Sequence, residues 1–250
     1  MRISLAEDQN DFFRFPRTPH LVWLSDKAVR GDRVLSEAAA LRFLNAEILV
    51  EEKVDGANLG ISVGRDGSLR VQNRGAYLSP PSHPQFAPLW PWLASRRSAL
   101  SNALGSDLVL FGEWCFAVHS ARYDRLPDWF LAFDVYDRSV GRFWSAVRRN
   151  RLVQSMRMAV VPEVARGFFN LDTVRRLLTS SQSALGCQPV EGLYLRREDK
   201  EWLQDRTKIV RAEFVQNIGE HWSSRTMEKN RLLTLTKAHS HNRPKGLKRS

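Results

Sequence analysis

Lys53 closes a run, EILVEEK, that reads as a β-strand, and Val54, Asp55 and Gly56 follow it at once. A lysine is a nucleophile only when neutral, and at its ordinary pKa of about 10.4 roughly one molecule in a few thousand is neutral at pH 7. A site that uses such a lysine must shift that equilibrium or supply cations nearby. One reaction open to it is attack on the α-phosphorus of ATP, which leaves a phosphoramidate. Chemistry of that kind is mostly positioning and charge neutralisation. It asks for cations around the phosphates, carboxylates for a metal ion and a flat platform for the base. The sequence offers residues of each kind in separate strand-like segments, with Lys208 or Arg206 able to bring a cation besides ATP's own metal. Gly56 allows backbone to approach a ligand closely, and Asn58 could bond a ribose hydroxyl or a phosphate.

Each residue also has an ordinary reading. Alone, Lys53 would be a solvated lysine at a strand end, Phe133 a core residue and Arg74 a surface arginine in a hairpin. Glu191 could simply begin a strand, although Gly192 beside it favours close backbone approach. Glu113 sits among bulky apolar groups, and a buried carboxylate needs partners. Asp134 could hold a metal through water or orient Lys208.

The elements that must position these residues follow from pattern. Helical periodicity covers 36–44, 89–104, the stretch after Ser145, 171–185 and 222–237. LGISV, turned by GRDG into SLRVQN, predicts a hairpin. LVLFGEWC, FLAFDVYD, MAVVPEV, EGLYLRRE and RTKIVRAEF read as further strands, FFRFPRTPHLVWL as loop and short strand, and YLSPPSHPQFAP as loop. Interleaved strands, hairpins and helices predict an α+β fold with antiparallel sheets flanked by helices.

Composition narrows the partners. The formal net charge is +11, spread over Arg148, Arg149, Arg151, Arg175, Arg176 and the terminal KGLKRS. A diffuse surplus suits a phosphate backbone better than a small acidic metabolite. Two cysteines, Cys115 and Cys187, cannot make a disulfide scaffold or a structural zinc site and are expected as core thiols in a reducing compartment. The opening MRISLAEDQNDFF has acids where a signal peptide needs an apolar stretch, and no run reaches the length of a membrane span, so a cytoplasmic protein is expected.

EKVDGAN resembles motif I, the Lys-x-Asp-Gly signature of the covalent nucleotidyltransferase superfamily of DNA ligases, RNA ligases and mRNA capping enzymes. VQNRG resembles the segment whose arginine, here Arg74, contacts the nucleotide and the nucleic-acid end. FGE resembles motif III, LAFD motif IIIa with Phe133 stacking on adenine, EGLYL motif IV and RTK motif V. The resemblance spans roughly residues 50–215, with the motifs in the family's order. Glu52 before the lysine and Asn58 after it match the phage RNA ligase 2-like and RNA-editing ligase group. About forty residues follow Lys208, too few for an OB-fold of about a hundred residues.

The resemblance implies an ATP-dependent RNA ligase that joins 3′-hydroxyl and 5′-phosphate ends in RNA repair. Lys53 and Lys208 would be catalytic. Glu52, Asn58, Arg74, Phe133 and Arg206 would hold the nucleotide, and Glu113 and Glu191 would hold magnesium or manganese (Mg2+ or Mn2+). The partner implied is RNA, as a nicked duplex or broken ends. An adenylation domain over 1–222 and a C-terminal helical segment with a basic tail over 223–250 are expected. A capping-type guanylyltransferase, a DNA ligase and an inactive nucleic-acid-binding relative are the alternatives. One departure is Arg206 where motif V normally has lysine: arginine can hold phosphate but cannot carry a proton.

Overall fold

The computed structural model describes residues 12–26, 33–216 and 227–234. Helix α1, Glu37–Leu44, begins at Ser36, whose hydroxyl accepts from the Ala39 amide. Strand β1, Ile48–Lys53, follows. Strands β2, Ala57–Val63, and β3, Leu69–Gln72, form the hairpin expected from GRDG. Helix α2 covers Leu89–Leu104, as the periodicity predicts. Strands β4, Leu108–Trp114, β5, Phe130–Asp137, and the short β6, Arg142–Phe143, come next. Helix α3, Ala146–Ser155, is capped by Ser145. Strands β7, Ala159–Val160, and β8, Glu163–Gly167, lead to α4, Leu171–Ser180, which starts at a capping box of Asn170 and Thr173. Strands β9, Gly192–Glu198, and β10, Leu203–Val210, precede the short helix α5, Ala212–Gln216.

The described strands make two sheets. One has the order β10-β9-β1-β8, all antiparallel; the other runs β3-β2-β4-β5-β6, with β7 added in parallel to β5. The α+β expectation therefore holds, and the β5–β7 pair departs from strict antiparallel pairing. Because β1 belongs to the first sheet and β2 to the second, Val54, Asp55 and Gly56 form the crossover between them.

Alternation along the strands sorts the first sheet into two faces. Ile48, Val50, Leu193, Leu195 and Ile209 pack with Phe43 of α1 and Val174 and Leu178 of α4. The opposite face carries Glu51, Lys53, Tyr194, Arg196, Arg206 and Lys208, with Glu51 and Lys208 both paired to Tyr194 and Arg206 paired to Arg196. The second sheet buries Leu59, Ile61, Leu110 and Phe130 against Leu89, Trp92 and Leu100 of α2.

Arginines fasten the polar face to the second sheet. Arg196, fully buried, donates to Asp134 Oδ1 at 2.6 Å, to the Phe133 carbonyl at 3.2 Å and to Glu198 at 3.1 Å. Arg149 grips Glu51 at 2.5 and 3.2 Å and also donates to the Phe133 carbonyl. Burial works against the Arg196 charge, but Asp134, Glu51 and Glu198 more than offset it, and its pKa is raised.

Several sequence expectations are corrected. MAVVPEV divides into β7 and β8, which join different sheets across Pro162. The helix expected over 171–185 stops at Ser180, freeing Ser183 and Ala184 to bond Glu52. The last strand ends at Val210, and Ala212 begins a helix. The helix expected over 222–237 is not formed at 227–234, which is extended and bridges Ala117 through Lys229 and Leu126 through Leu232. The remainder of that stretch and the basic tail lie outside the described residues. Cys115 is buried, but Cys187 is exposed.

Removing Arg196 would leave Asp134 and Glu198 underpaired in a buried setting. Arg196→Met is therefore expected to lower the urea unfolding free energy by about 3–5 kcal/mol. Arg175→Ala, at an ion pair 46% and 83% exposed, is expected to change it by about 1 kcal/mol or less. Equal losses in the two variants would remove the buried network from the fold's support.

Candidate active site

A cavity of about 540 Å3 opens where the crossover after β1 meets the ends of β2, β4, β5, β9 and β10, within the range of small-molecule sites. Lys53, Asn58, Arg74, Glu113, Phe133 and Lys208 all line it. Glu191 stands behind Lys53, its Oε1 accepting from the Lys53 ammonium at 2.5 Å.

The geometry follows from the crossover. The Asp55 carboxylate accepts from the Ser120 amide and hydroxyl, each at 2.6 Å, and from the Ala121 amide at 3.0 Å. The Asp55 amide donates to the Tyr123 hydroxyl at 2.9 Å. Gly56 is required by crowding: a Cβ there would lie 2.8 Å from the Trp114 carbonyl oxygen. Gly192 is required likewise, since its Cβ would lie 2.5 Å from the Ile209 carbonyl oxygen. Gly192 pairs with Lys53 in the β1–β9 ladder, which sets Glu191 beside the lysine. Across the cavity, Asn58 of β2 pairs with Glu113 of β4.

Several polar atoms around this space are buried and unpartnered: both side-chain atoms of Asn58, Glu113 Oε2 and Glu191 Oε2. Buried polar atoms are ordinarily satisfied, so their convergence marks the place of a polar ligand. Burial pushes Glu113 up to about 8 against the pull of Lys53, and pushes Glu191 up to about 7 against the same lysine. Burial acts to lower the Lys53 pKa, but Glu191, Asp55 and Glu113 outweigh it and hold it above its ordinary value. Without ligand, Lys53 is thus a charged, paired ammonium. No group of three or more His, Cys, Asp or Glu side chains among the described residues forms a ready metal site. Two carboxylates beside a phosphate-sized space suit a metal that brings substrate oxygens and water as its other ligands.

Three expected roles change. Glu52 lines the cavity, but its carboxylate points to the helix-covered face of the sheet, accepting from Ser183 Oγ at 2.5 Å and the Ala184 amide at 3.0 Å. Alternation along β1 puts it opposite Lys53. Arg206 is not in the cavity wall: it donates to Asp134 Oδ2 at 2.6 Å and lies over the Phe15 and Phe143 rings. Asp134 is buried between Arg196 and Arg206, so it orients Arg206 and is closed to a metal.

Other lining residues escaped the sequence reading. Glu51 and Tyr194 line the cavity, and the two-residue period from Lys53 and Gly192 could have found them. Phe15, Arg17 and Thr18 also line it. They come from a segment docked against β10: the Leu21 amide donates to the Lys208 carbonyl at 2.7 Å and the Lys208 amide to the Pro19 carbonyl at 3.0 Å. Thr18 Oγ1 lies 3.3 Å from the Tyr194 hydroxyl. No periodicity announces that docking.

Comparisons with known proteins bear on the family and the fold. The sequence model of the RNA ligase family matches residues 46–210. No curated protein matches the sequence. Among solved structures, a mutant Naegleria gruberi RNA ligase with AMP and manganese is similar with a TM-score of 0.61 at 15% identity, over 83% of this chain and 58% of that one. A second mutant of that ligase, with ATP and manganese, gives 0.57 at 18% identity, over 72% of this chain and 54% of that one. The chain thus spans little more than half the length of these structures, and the likeness is one of fold. No described helix is long and apolar enough to cross a membrane. With the family match covering well over half of its length, the chain belongs to the RNA ligase family.

Proposed function

We propose that the chain is an ATP-dependent RNA ligase that carries AMP on Lys53 and joins 3′-hydroxyl to 5′-phosphate ends. The observation that carries this reading is the pairing of Lys53 with Glu191, itself left with an unpartnered buried oxygen, beside a cavity whose Asn58 and Glu113 keep unpartnered buried atoms. In the first step Lys53 Nζ bonds the α-phosphorus of ATP as the bond to pyrophosphate breaks. The ammonium must first give up a proton, and Glu191 Oε1, 2.5 Å away and with its pKa near 7, is placed to take it. AMP then passes to a 5′-phosphate, and a 3′-hydroxyl displaces it.

Phe133 offers a face for adenine, Asn58 bonds for the ribose, and Lys208 and Arg74 positive charge for phosphate oxygens. Glu113 and Glu191 Oε2 would hold magnesium or manganese, which neutralises charge on the phosphates when bound. Arg206 acts from behind the wall, with Asp134 fixing it between two rings. Glu52 before the lysine and Asn58 after it support a place near the phage RNA ligase 2-like and RNA-editing ligases. We read residues 1–222 as the adenylation domain and 223–250 as a C-terminal segment, and infer a cytoplasmic role in RNA repair.

Labelling with ATP tests the nucleophile. The wild type is expected to take up AMP in a form stable on a denaturing gel, with the adduct on Lys53 by mass spectrometry, and Lys53→Ala is expected to take up none. An adduct on another lysine would overturn the assignment.

The sugar tests the substrate. A-form ends present 2′-hydroxyls on a shallow minor groove, so a nick with ribose at its 3′-hydroxyl side is expected to seal faster than the matched deoxyribose nick at one salt concentration. Equal rates would leave a ligase without RNA preference.

The protonation of Glu113 has a readout without catalysis. Its pKa rises from an ordinary 4.5 to about 8 on folding. Between those values the unfolded chain has lost a proton that the folded chain keeps, so stability falls as pH rises through that window. In metal-free buffer, the melting temperature of the wild type relative to Glu113→Gln is expected to drop by about 10 °C between about pH 5 and about pH 8. A gap independent of pH would mean Glu113 ionises normally.

A further inference from the structure

A second basin, of about 880 Å3, adjoins the nucleotide cavity and shares Phe15, Arg17 and Arg74 with it. The charged residues lining it are all arginine: Arg14, Arg17, Arg33 and Arg74, each exposed. The first cavity has Glu51, Glu52, Asp55 and Glu113 in its wall, whereas the second has no carboxylate among the described residues. Its one ring, Phe15, is only 3% exposed and offers no stacking platform for a base.

The segment that carries Arg14 and Arg17 is anchored. Arg14 Nε donates to the Arg74 carbonyl at 3.1 Å, tying the N-terminal segment to the turn after β3. Gln72 of β3 donates to the Phe13 carbonyl at 2.8 Å. Like charges gathered on one wall repel one another, and a polyanion relieves that repulsion. Guanidinium groups also match phosphate oxygens in paired hydrogen bonds. Arg14, Arg17 and Arg33 precede residue 46, where the family match begins, so this wall is built by a part of the chain that the match does not reach.

We propose that the basin holds the phosphodiester backbone of the RNA end whose terminal phosphate enters the nucleotide cavity. This rests on the ligase reading above. The competing ligand of the same chemistry is the β,γ-phosphate tail of ATP. The lining favours the strand: a triphosphate tail arrives with a divalent metal, which takes carboxylate or other oxygen ligands, and the described residues of the basin include four arginines and no carboxylate. A strand backbone needs only cations spaced along it.

The test uses the full chain with Arg14→Gln and Arg33→Gln combined, since neither residue lines the nucleotide cavity. Binding of a 5′-phosphorylated nicked RNA duplex is measured by fluorescence anisotropy over a range of KCl concentrations, and AMP labelling over a range of ATP concentrations. The double variant is expected to bind RNA about 10-fold more weakly at low salt, with a salt slope shallower by roughly 1–2. Half-maximal ATP should stay unchanged, and Arg14→Lys with Arg33→Lys should keep most of the slope. Arg33→Gln alone, at an exposed position, should show about half the slope change and decides the matter if the double variant is recovered poorly. Unchanged RNA affinity and slope would overturn the proposal. A raised half-maximal ATP with unchanged RNA binding would give the basin to the triphosphate tail and overturn it equally. Failure of the wild type to label at Lys53 would instead sink the ligase reading, whatever the arginines do.

Discussion

The polar face of the first sheet can exist only because its charges are answered inside the protein. A strand face that carries Glu51, Lys53, Arg196, Arg206 and Lys208 would ordinarily turn to water. Here it turns to the second sheet, and Arg149 and Arg196 make that possible. Arg149 neutralises Glu51 of the first sheet while donating to the Phe133 carbonyl of the second, and Arg196, itself on the first sheet, reaches Asp134 and the same carbonyl on the second. Such a buried network adds little net stability compared with apolar packing, but breaking one member is costly. Its effect is to fix where Phe133 and Arg206 stand relative to Lys53.

The same face sets the charge state of Lys53. Lys53 is 25% exposed at its side chain and paired to Glu191, and three carboxylates keep it protonated against the effect of burial. Neutralising Lys53 therefore requires that this carboxylate grip be weakened. On the ligase reading proposed above, a bound triphosphate and its metal would compete for Glu113 and Glu191, which would couple loss of the lysine's proton to occupancy of the cavity.

Much of this was legible in the sequence because it depends on local pattern. Ser36, Ser145 and Asn170 mark helix starts by their capping chemistry, and the GRDG turn marks the β2–β3 hairpin. Lys53, Asn58, Glu113, Phe133 and Lys208 meet because ordered strands bring them to one end of two sheets. The errors arose where a residue's partner is distant in sequence. Glu52 lies next to Lys53 in sequence but on the opposite face, and Arg206 bonds an aspartate of another sheet. The stretch at 227–234 has helical periodicity, yet it lies extended because its amides and carbonyls pair with residues 116–126. Tertiary hydrogen bonding overrides propensity there.

The N-terminal segment shows the same limit from the other side. FFRFPRTPHLVWL has two prolines and no sustained period, so it reads as loop and short strand, with nothing in its pattern to say what it docks against. It acquires a defined path because β10 is the edge of its sheet and presents unpaired backbone groups. Lys208 uses both its amide and its carbonyl on this segment. The lysine in the cavity wall is thus held by the chain that covers its edge. That chain brings Phe15 under Arg206 and Arg17 into the wall of both cavities. An edge strand left bare would invite pairing with another molecule; capped by a basic segment, it places arginines next to the cavity beside Lys53.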